Sequence, residues 1–84
     1  MVSTLTEIGK FMCNPVIPEN QKIIVEWQYG LCGGFGTALW GAIMKADDSN
    51  LAKLGLGFPE EVNAYKEFTC GDLAKKIRAN GVNL

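Results

Sequence analysis

The chain contains no histidine and only three cysteines among its 84 residues. Histidine is the most frequent general base in enzymes, and without it no hydroxyl or thiol has an evident partner to activate it. The cysteines, Cys13, Cys32 and Cys70, are far apart and form no Cys-x-x-Cys pair, so neither a disulfide framework nor a zinc site is indicated. We therefore expect a protein that is not an enzyme, has no catalytic residue and holds no metal and no cofactor.

Long apolar runs and a surplus of basic charge are also missing. No stretch approaches the ~20 apolar residues of a membrane span, and no basic start followed by an apolar run indicates a secretory signal. The net charge is −1, whereas generic nucleic-acid binding depends on a basic surplus that contacts phosphates. We expect a cytoplasmic protein with no membrane contact and no generic nucleic-acid binding.

What the chain does have is a globular composition. Apolar residues make up 48% and charged residues 20%, which provides enough apolar surface to offset the entropy of ordering the chain. The length suits one hydrophobic core, so we expect a single domain over residues 1–84. A core of this size without disulfides or a metal is usually reinforced by self-association, and we expect a homo-oligomer.

Helix-start signals recur along the chain. Thr4 and Glu7 fit a capping box, Pro59 suits the first position of a helix, and Thr69 and Asp72 resemble a second capping box. The absence of repeats and low-complexity tracts leaves these signals as the main guide to the architecture. They favour an all-α fold.

Residues 22–29 are ambiguous. Their β-branched and aromatic side chains favour a strand, whereas Pro18 and Glu19 resemble a helix start. A lone strand would find no partner elsewhere in the chain and would leave backbone groups unsatisfied. We favour a helix, and the alternative is an α+β fold in which residues 22–29 form a strand.

The glycine-rich segment 33–46 is predicted to be the central helix. Its inward face is predicted to consist of four apolar residues: Phe35, Leu39, Ile43 and Met44. Asp47 or Asp48 is expected to cap a following helical turn that Gly55 and Gly57 end. The fold we predict is a compact bundle of about five short helices around this central helix.

The glycines of the central helix permit two interpretations. A stripe of small residues, such as Gly34, Ala38 and Gly41, would let another backbone approach closely and so offset the low helix propensity of glycine. Alternatively, the helix start would offer backbone amides to an anionic ligand, with four candidate binding residues: Gly33, Gly34, Phe35 and Gly36. The segment matches neither phosphate-binding glycine motif, and packing is the favoured interpretation.

Aromatic residues cluster within residues 27–40. Core packing is their ordinary role, because aromatic rings contribute much of the buried area of a small domain. The alternative is an exposed surface that anchors a protein partner or stacks on a base, and the candidate interface residues are Trp27, Tyr29 and Trp40. A small domain seldom buries two tryptophans completely, so we expect one of them to be partly exposed.

A longer pattern runs from Gly34 through the segments Ala42–Ile43 and Ala46–Asp47 to the string Gly-Phe-Pro-Glu-Glu-Val at residues 57–62. It resembles a pattern of small phage and bacterial proteins of unassigned function. The resemblance covers about 30 of the 84 residues and carries no catalytic residue. It implies a phage or mobile-element setting, in which the cytoplasm would be that of a host cell and small proteins often bind a host factor or sequester a signalling molecule.

The sequence is compatible with two functions. The first is a non-catalytic helical binding protein that acts through self-association and a protein partner, such as a host protein. The second is a binder or sequestering protein for a small nucleotide-like anion, held by the amides of residues 33–36, an aromatic ring and a basic side chain such as Lys45 or Arg78.

Overall fold

The structure is a computed structural model that describes residues 5–84, and helices account for its regular secondary structure there. The helices are α1 (Leu5–Cys13), α2 (Glu19–Gln28), α3 (Gly33–Lys45), α4 (Asp48–Gly57), α5 (Pro59–Cys70) and α6 (Leu73–Ala79). The predicted all-α bundle is confirmed. The described residues form six helices rather than about five, because the turn expected after Asp47 extends into the ten-residue helix α4.

The ambiguous segment 22–29 belongs to α2 and its C-terminal cap. Ile24 and Val25 have no exposed surface, and complete burial of such side chains contributes roughly 1.5–3 kcal/mol each. This outweighs the few tenths of a kcal/mol by which β-branching disfavours a helix at each position. The strand alternative is therefore wrong, and tertiary packing is the reason.

The central helix is α2 rather than the glycine-rich α3. Helix α2 packs against α1, α3, α5 and α6, and the most extensive helix contacts in the bundle are those that α5 makes with α2 and α4. Helix α3 has few large side chains with which to cover its neighbours, since four of its thirteen residues are glycine. Its predicted central position is wrong for this reason.

The inward face of α3 also differs from the prediction. The side chains that point towards the core belong to Trp40 and Ile43, whereas Phe35 and Met44 are mostly exposed. The inward stripe runs through residues 36, 39, 40 and 43, which is the i, i+3, i+4, i+7 pattern of a helix face. Because this stripe starts at Gly36, which has no side chain, apolar periodicity did not reveal it.

The glycine stripe does not mediate close packing between described residues. A Cβ atom added at Gly34 or Gly41 would meet no atom within 4 Å, and Ala38 is exposed. The favoured packing interpretation is therefore wrong within the described chain. Gly36 is the exception in α3, because a Cβ atom there would lie 2.6 Å from Cβ of Cys32.

Helix ends follow the local sequence in most places. The carboxylate of Asp47 accepts a hydrogen bond of 2.8 Å from the backbone N–H of Asn50, as its predicted capping role requires. Pro59 begins α5 as predicted, and Gly81 (φ +94°) follows the end of α6. Of the first capping box, Thr4 lies outside the described residues.

The second predicted capping box is wrong. Thr69 lies inside α5, where its hydroxyl donates to the carbonyl oxygen of Tyr65 at 2.9 Å. Asp72 precedes α6 but makes no capping hydrogen bond, and its carboxylate instead lies 3.5 Å from the Lys76 ammonium. Helix α5 therefore continues through Thr69 to Cys70 instead of ending before the predicted cap. Val62 and Ala64 bury this helix in the core.

Candidate binding groove

An open groove lies between α2, the first half of α3 and the junction of α4 with α5. Its cavity measures about 210 Å³. Its lining consists of Ile23, Glu26, Cys32, Phe35, Gly36, Leu39, Trp40, Phe58 and Glu61. We call this set of nine residues the aromatic groove. The two carboxylates are its only charged groups, and most of the remaining lining is apolar.

Stacked indole rings support the floor of the aromatic groove. The rings of Trp27 and Trp40 lie parallel, with their centroids 4.4 Å apart and an interplanar angle of 6°. Tyr65 and Phe68 of α5 pack against this pair at tilted and edge-on angles. The result is an aromatic cluster that joins α2, α3 and α5 and fixes the orientation of α3.

The three candidate interface residues contribute to this interior rather than to an open surface. Trp40 is 3% exposed and belongs mainly to the core, but it also lines the aromatic groove, and its suggested interface role stays a prediction. Trp27 is half-buried, and the expectation that one tryptophan would be partly exposed is confirmed. Tyr29 is also half-buried, and its hydroxyl donates a hydrogen bond to the carbonyl oxygen of Asn83, which ties the end of α2 to the C-terminal segment.

The four candidate ligand-binding residues lie at the start of α3 but have different surroundings. Gly33 (φ +73°) and Gly34 are exposed, and neither lines the aromatic groove. Phe35 and Gly36 do line it. The Phe35 ring is 71% exposed and its centroid lies 5.9 Å from that of Phe58. Phe35 is therefore the aromatic residue that the groove presents to solvent.

The charges around the aromatic groove are unfavourable for an anion. Glu26 and Glu61 line the same cavity as Phe35 and Gly36. Burial, and then the charge of Glu26, raise the pKa of the Cys32 thiol in the same groove. Lys45, named as a basic partner for the ligand, lies at the other end of α3, about 18 Å from Gly33 at 1.5 Å per residue.

A second cavity adjoins the aromatic groove along α2 and α5. It measures about 250 Å³ and is lined by Glu19, Asn20, Ile23, Glu60, Asn63, Ala64 and Glu67. We call these residues the acidic recess. Ile23 lines both cavities, so the two are neighbours on one face of the molecule. Lysines line a separate cavity between α3 and α4, where Lys45 and Lys53 are found.

Sequence reasoning missed several groove residues. Phe58 comes to the groove because it joins α4 to α5, and Glu26, Glu61 and Ile23 belong to two helices that are distant in sequence. No local sequence pattern relates these glutamates to the groove. Only the antiparallel packing of α2 and α5 brings them to one surface.

Among residues 5–84, no group of three or more histidine, cysteine, aspartate or glutamate side chains is arranged to hold a metal ion. No helix in this part of the chain is long and apolar enough to cross a membrane. Cys13 and Cys70 are exposed and Cys32 is half-buried, and all three thiols are free.

No protein-family model matches the chain, and comparison with curated proteins and with solved structures gives no significant match. The resemblance to small phage and bacterial proteins therefore stays a prediction.

Proposed function

We propose that this chain is a non-catalytic protein-binding domain that uses the aromatic groove to accept apolar side chains of another polypeptide. The observation that carries the proposal is the exposure of Phe35, whose ring is 71% exposed above an apolar cavity and packs only partly against Phe58. A phenylalanine left in water forgoes roughly 1.5–3 kcal/mol of burial free energy. A partner that covers this ring would recover part of it.

The size of the aromatic groove favours side chains over a whole small molecule. Pockets for drug-sized ligands measure roughly 300–1,000 Å³, whereas this cavity measures about 210 Å³. That volume accommodates one or two large apolar side chains. Protein interfaces place their strongest contacts in such pockets, with an aromatic or aliphatic anchor from the partner.

Self-association remains part of this proposal. Leu31 and Leu56 are also exposed, at 49% and 87%, and both are close in sequence to groove residues. Exposed large apolar side chains that lie close together would provide the kind of surface found at protein interfaces. We expect the chain to form a homo-oligomer at about 100 μM, and light scattering at that concentration measures this. A monomer would contradict the self-association part alone.

Native mass spectrometry of the chain purified from cells that express it naturally tests the binding function. We expect a retained polypeptide with the wild type, more than about tenfold less of it with Phe35→Ser, and no loss with Val16→Ser. Val16 is a matched control because it is 83% exposed and lines none of the cavities described above. Retention of a small anion and no polypeptide would favour the alternative function and contradict the proposal.

A further inference from the structure

We infer that the aromatic groove and the acidic recess together form one docking surface for a basic amphipathic helix of a protein partner. The inference rests on the proposed protein-binding function and specifies the chemistry of the partner. Ile23 joins the two cavities, so a single segment laid along α2 and α5 would contact both.

The charge of this surface is of one sign. Five of the nine acidic residues in the chain line the two cavities, and no lysine or arginine does. Within the part of the chain that the structure describes, the one ion pair is that of Asp72 with Lys76, outside both cavities. The five carboxylates therefore have no ion-pair partner among the described residues. Charge complementarity then favours a partner with ammonium or guanidinium groups.

The spacing of these residues matches a helical ligand. Glu19, Ile23 and Glu26 follow one another at i, i+4 and i+7 on α2, which places an apolar residue between two carboxylates on one helix face. Glu60 and Glu67 repeat the same spacing on α5. Each row extends about 10 Å at 1.5 Å per residue. A partner helix of three or more turns, with an apolar stripe flanked by lysine or arginine, would match both rows.

Asn20 lies in the wall of the acidic recess. The side-chain amide nitrogen of Asn20 donates a hydrogen bond of 3.0 Å to Glu67, and this fixes the orientation of the amide. Its Oδ1 atom is buried and accepts no hydrogen bond from the described residues. Buried polar atoms usually have a partner. This oxygen has almost no accessible surface and does not itself contact a docked helix, so the carboxylates of the acidic recess are the groups that a lysine or arginine side chain would meet.

A second copy of the chain is a poorer occupant. Helix α6 is rich in basic residues, but its apolar side chains, Leu73 and Ile77, are completely buried in its own core. Helix α6 would have to unfold from its own core before it could present an apolar stripe together with its lysines to the groove of another copy. A separate protein with an exposed basic amphipathic helix has no such constraint.

Fluorescence anisotropy with synthetic peptides tests the inference on the whole chain. The probe is a labelled peptide of leucine and lysine about four helical turns long, with leucines at helical spacing. Matched peptides replace every lysine with glutamine or with glutamate. We expect the lysine peptide to bind at least about tenfold more tightly than the glutamate peptide, and its affinity to fall several-fold when the salt concentration rises from about 0.05 to about 0.5 M.

Two double variants with the same change of net charge locate the binding surface. Glu26→Gln with Glu61→Gln should weaken binding of the lysine peptide by about two- to thirtyfold, the range expected for two partly exposed ion pairs. Asp48→Asn with Asp72→Asn should leave it unchanged. Glu61 and Asp48 each lie in the first turn of a helix, and the ion pair of Asp72 with Lys76 is exposed and contributes little to stability. The effects on folding should therefore be similar, and circular dichroism checks them.

The outcomes separate this inference from the proposed function. One outcome is that the glutamine peptide binds as tightly as the lysine peptide and that Phe35→Ser abolishes binding of both. The groove would then bind a polypeptide, but the inferred basic character of the partner would be wrong. Equal weakening by the two double variants would also overturn the inference. Binding of none of the peptides would overturn the inference, whereas the proposed function is decided by the polypeptide that the native complex retains. If the peptide binds only after a dimer of this chain dissociates, the surface binds a second copy of the chain, and the inference is overturned.

Discussion

Replacing Gly41 with alanine should stabilise the fold. Gly41 lies in the middle of α3, and a Cβ atom added there would meet no atom within 4 Å. Alanine is favoured over glycine in a helix interior by about 1 kcal/mol, and no clash opposes this gain. For a domain of this length, about 1 kcal/mol raises the melting temperature by roughly 4–8 °C.

Gly36→Ala in the same helix provides the contrast. Its Cβ atom would lie 2.6 Å from Cβ of Cys32, which is too close to the backbone to move away cheaply. Overpacking of this kind costs about 1–3 kcal/mol, and the gain in helix propensity is smaller near the start of α3. We expect a net loss of about 1 kcal/mol, so the two variants should differ by roughly 2 kcal/mol.

Urea unfolding followed by circular dichroism measures both variants on one scale. Reduced stability of Gly41→Ala would refute the reasoning, because it would mean that α3 contacts something at this position. Repeating the experiment at several protein concentrations then identifies the contact. A loss that appears only at high concentration would indicate a close helix contact between two copies of the chain.

Two further effects follow from local contacts. Asp47→Ala removes the hydrogen bond to the N–H of Asn50 and should cost about 1 kcal/mol in urea unfolding; a loss no larger than that of Asp48→Ala would contradict the capping role. Iodoacetamide should modify Cys32 more slowly than the exposed Cys13 and Cys70, because a raised pKa leaves less thiolate at a given pH. Mass spectrometry follows the reaction, and the difference should shrink as the pH rises through that pKa. Equal rates of modification of the three cysteines near pH 8 would contradict the slower reaction expected of Cys32.

Much of the helical architecture could be predicted from local signals. Asp47 and Pro59 mark the starts of α4 and α5 because each acts on backbone groups within its own first turn. The face that a helix buries depends on its neighbours instead. Trp40 turns inward because it stacks on Trp27, which is thirteen positions earlier in the chain. Apolar periodicity placed Leu39 and Ile43 correctly but gave the exposed Phe35 and Met44 in place of Trp40.

The binding groove could be predicted only in small part. Phe35 and Gly36 were among the candidate ligand-binding residues because they begin a glycine-rich helix, and they do line the groove. The carboxylates that determine its charge were unrelated to it in sequence. Glu26 and Glu61 become neighbours through the packing of α2 against α5, a long-range contact that no local pattern encodes. The anionic ligand was inferred without them.

Helix α4 has a consequence for the dynamics of the groove. It contains no buried residue, whereas each of the other helices in the described chain contributes at least two to the core. Segments with few buried contacts open at low free-energy cost, so its amides should exchange with deuterium before those of α2. The N–H of Phe58 donates to Leu54 within this helix, and its ring meets that of Phe35. Fraying of α4 would therefore free Phe58, and an occupied groove should slow deuterium uptake along α4.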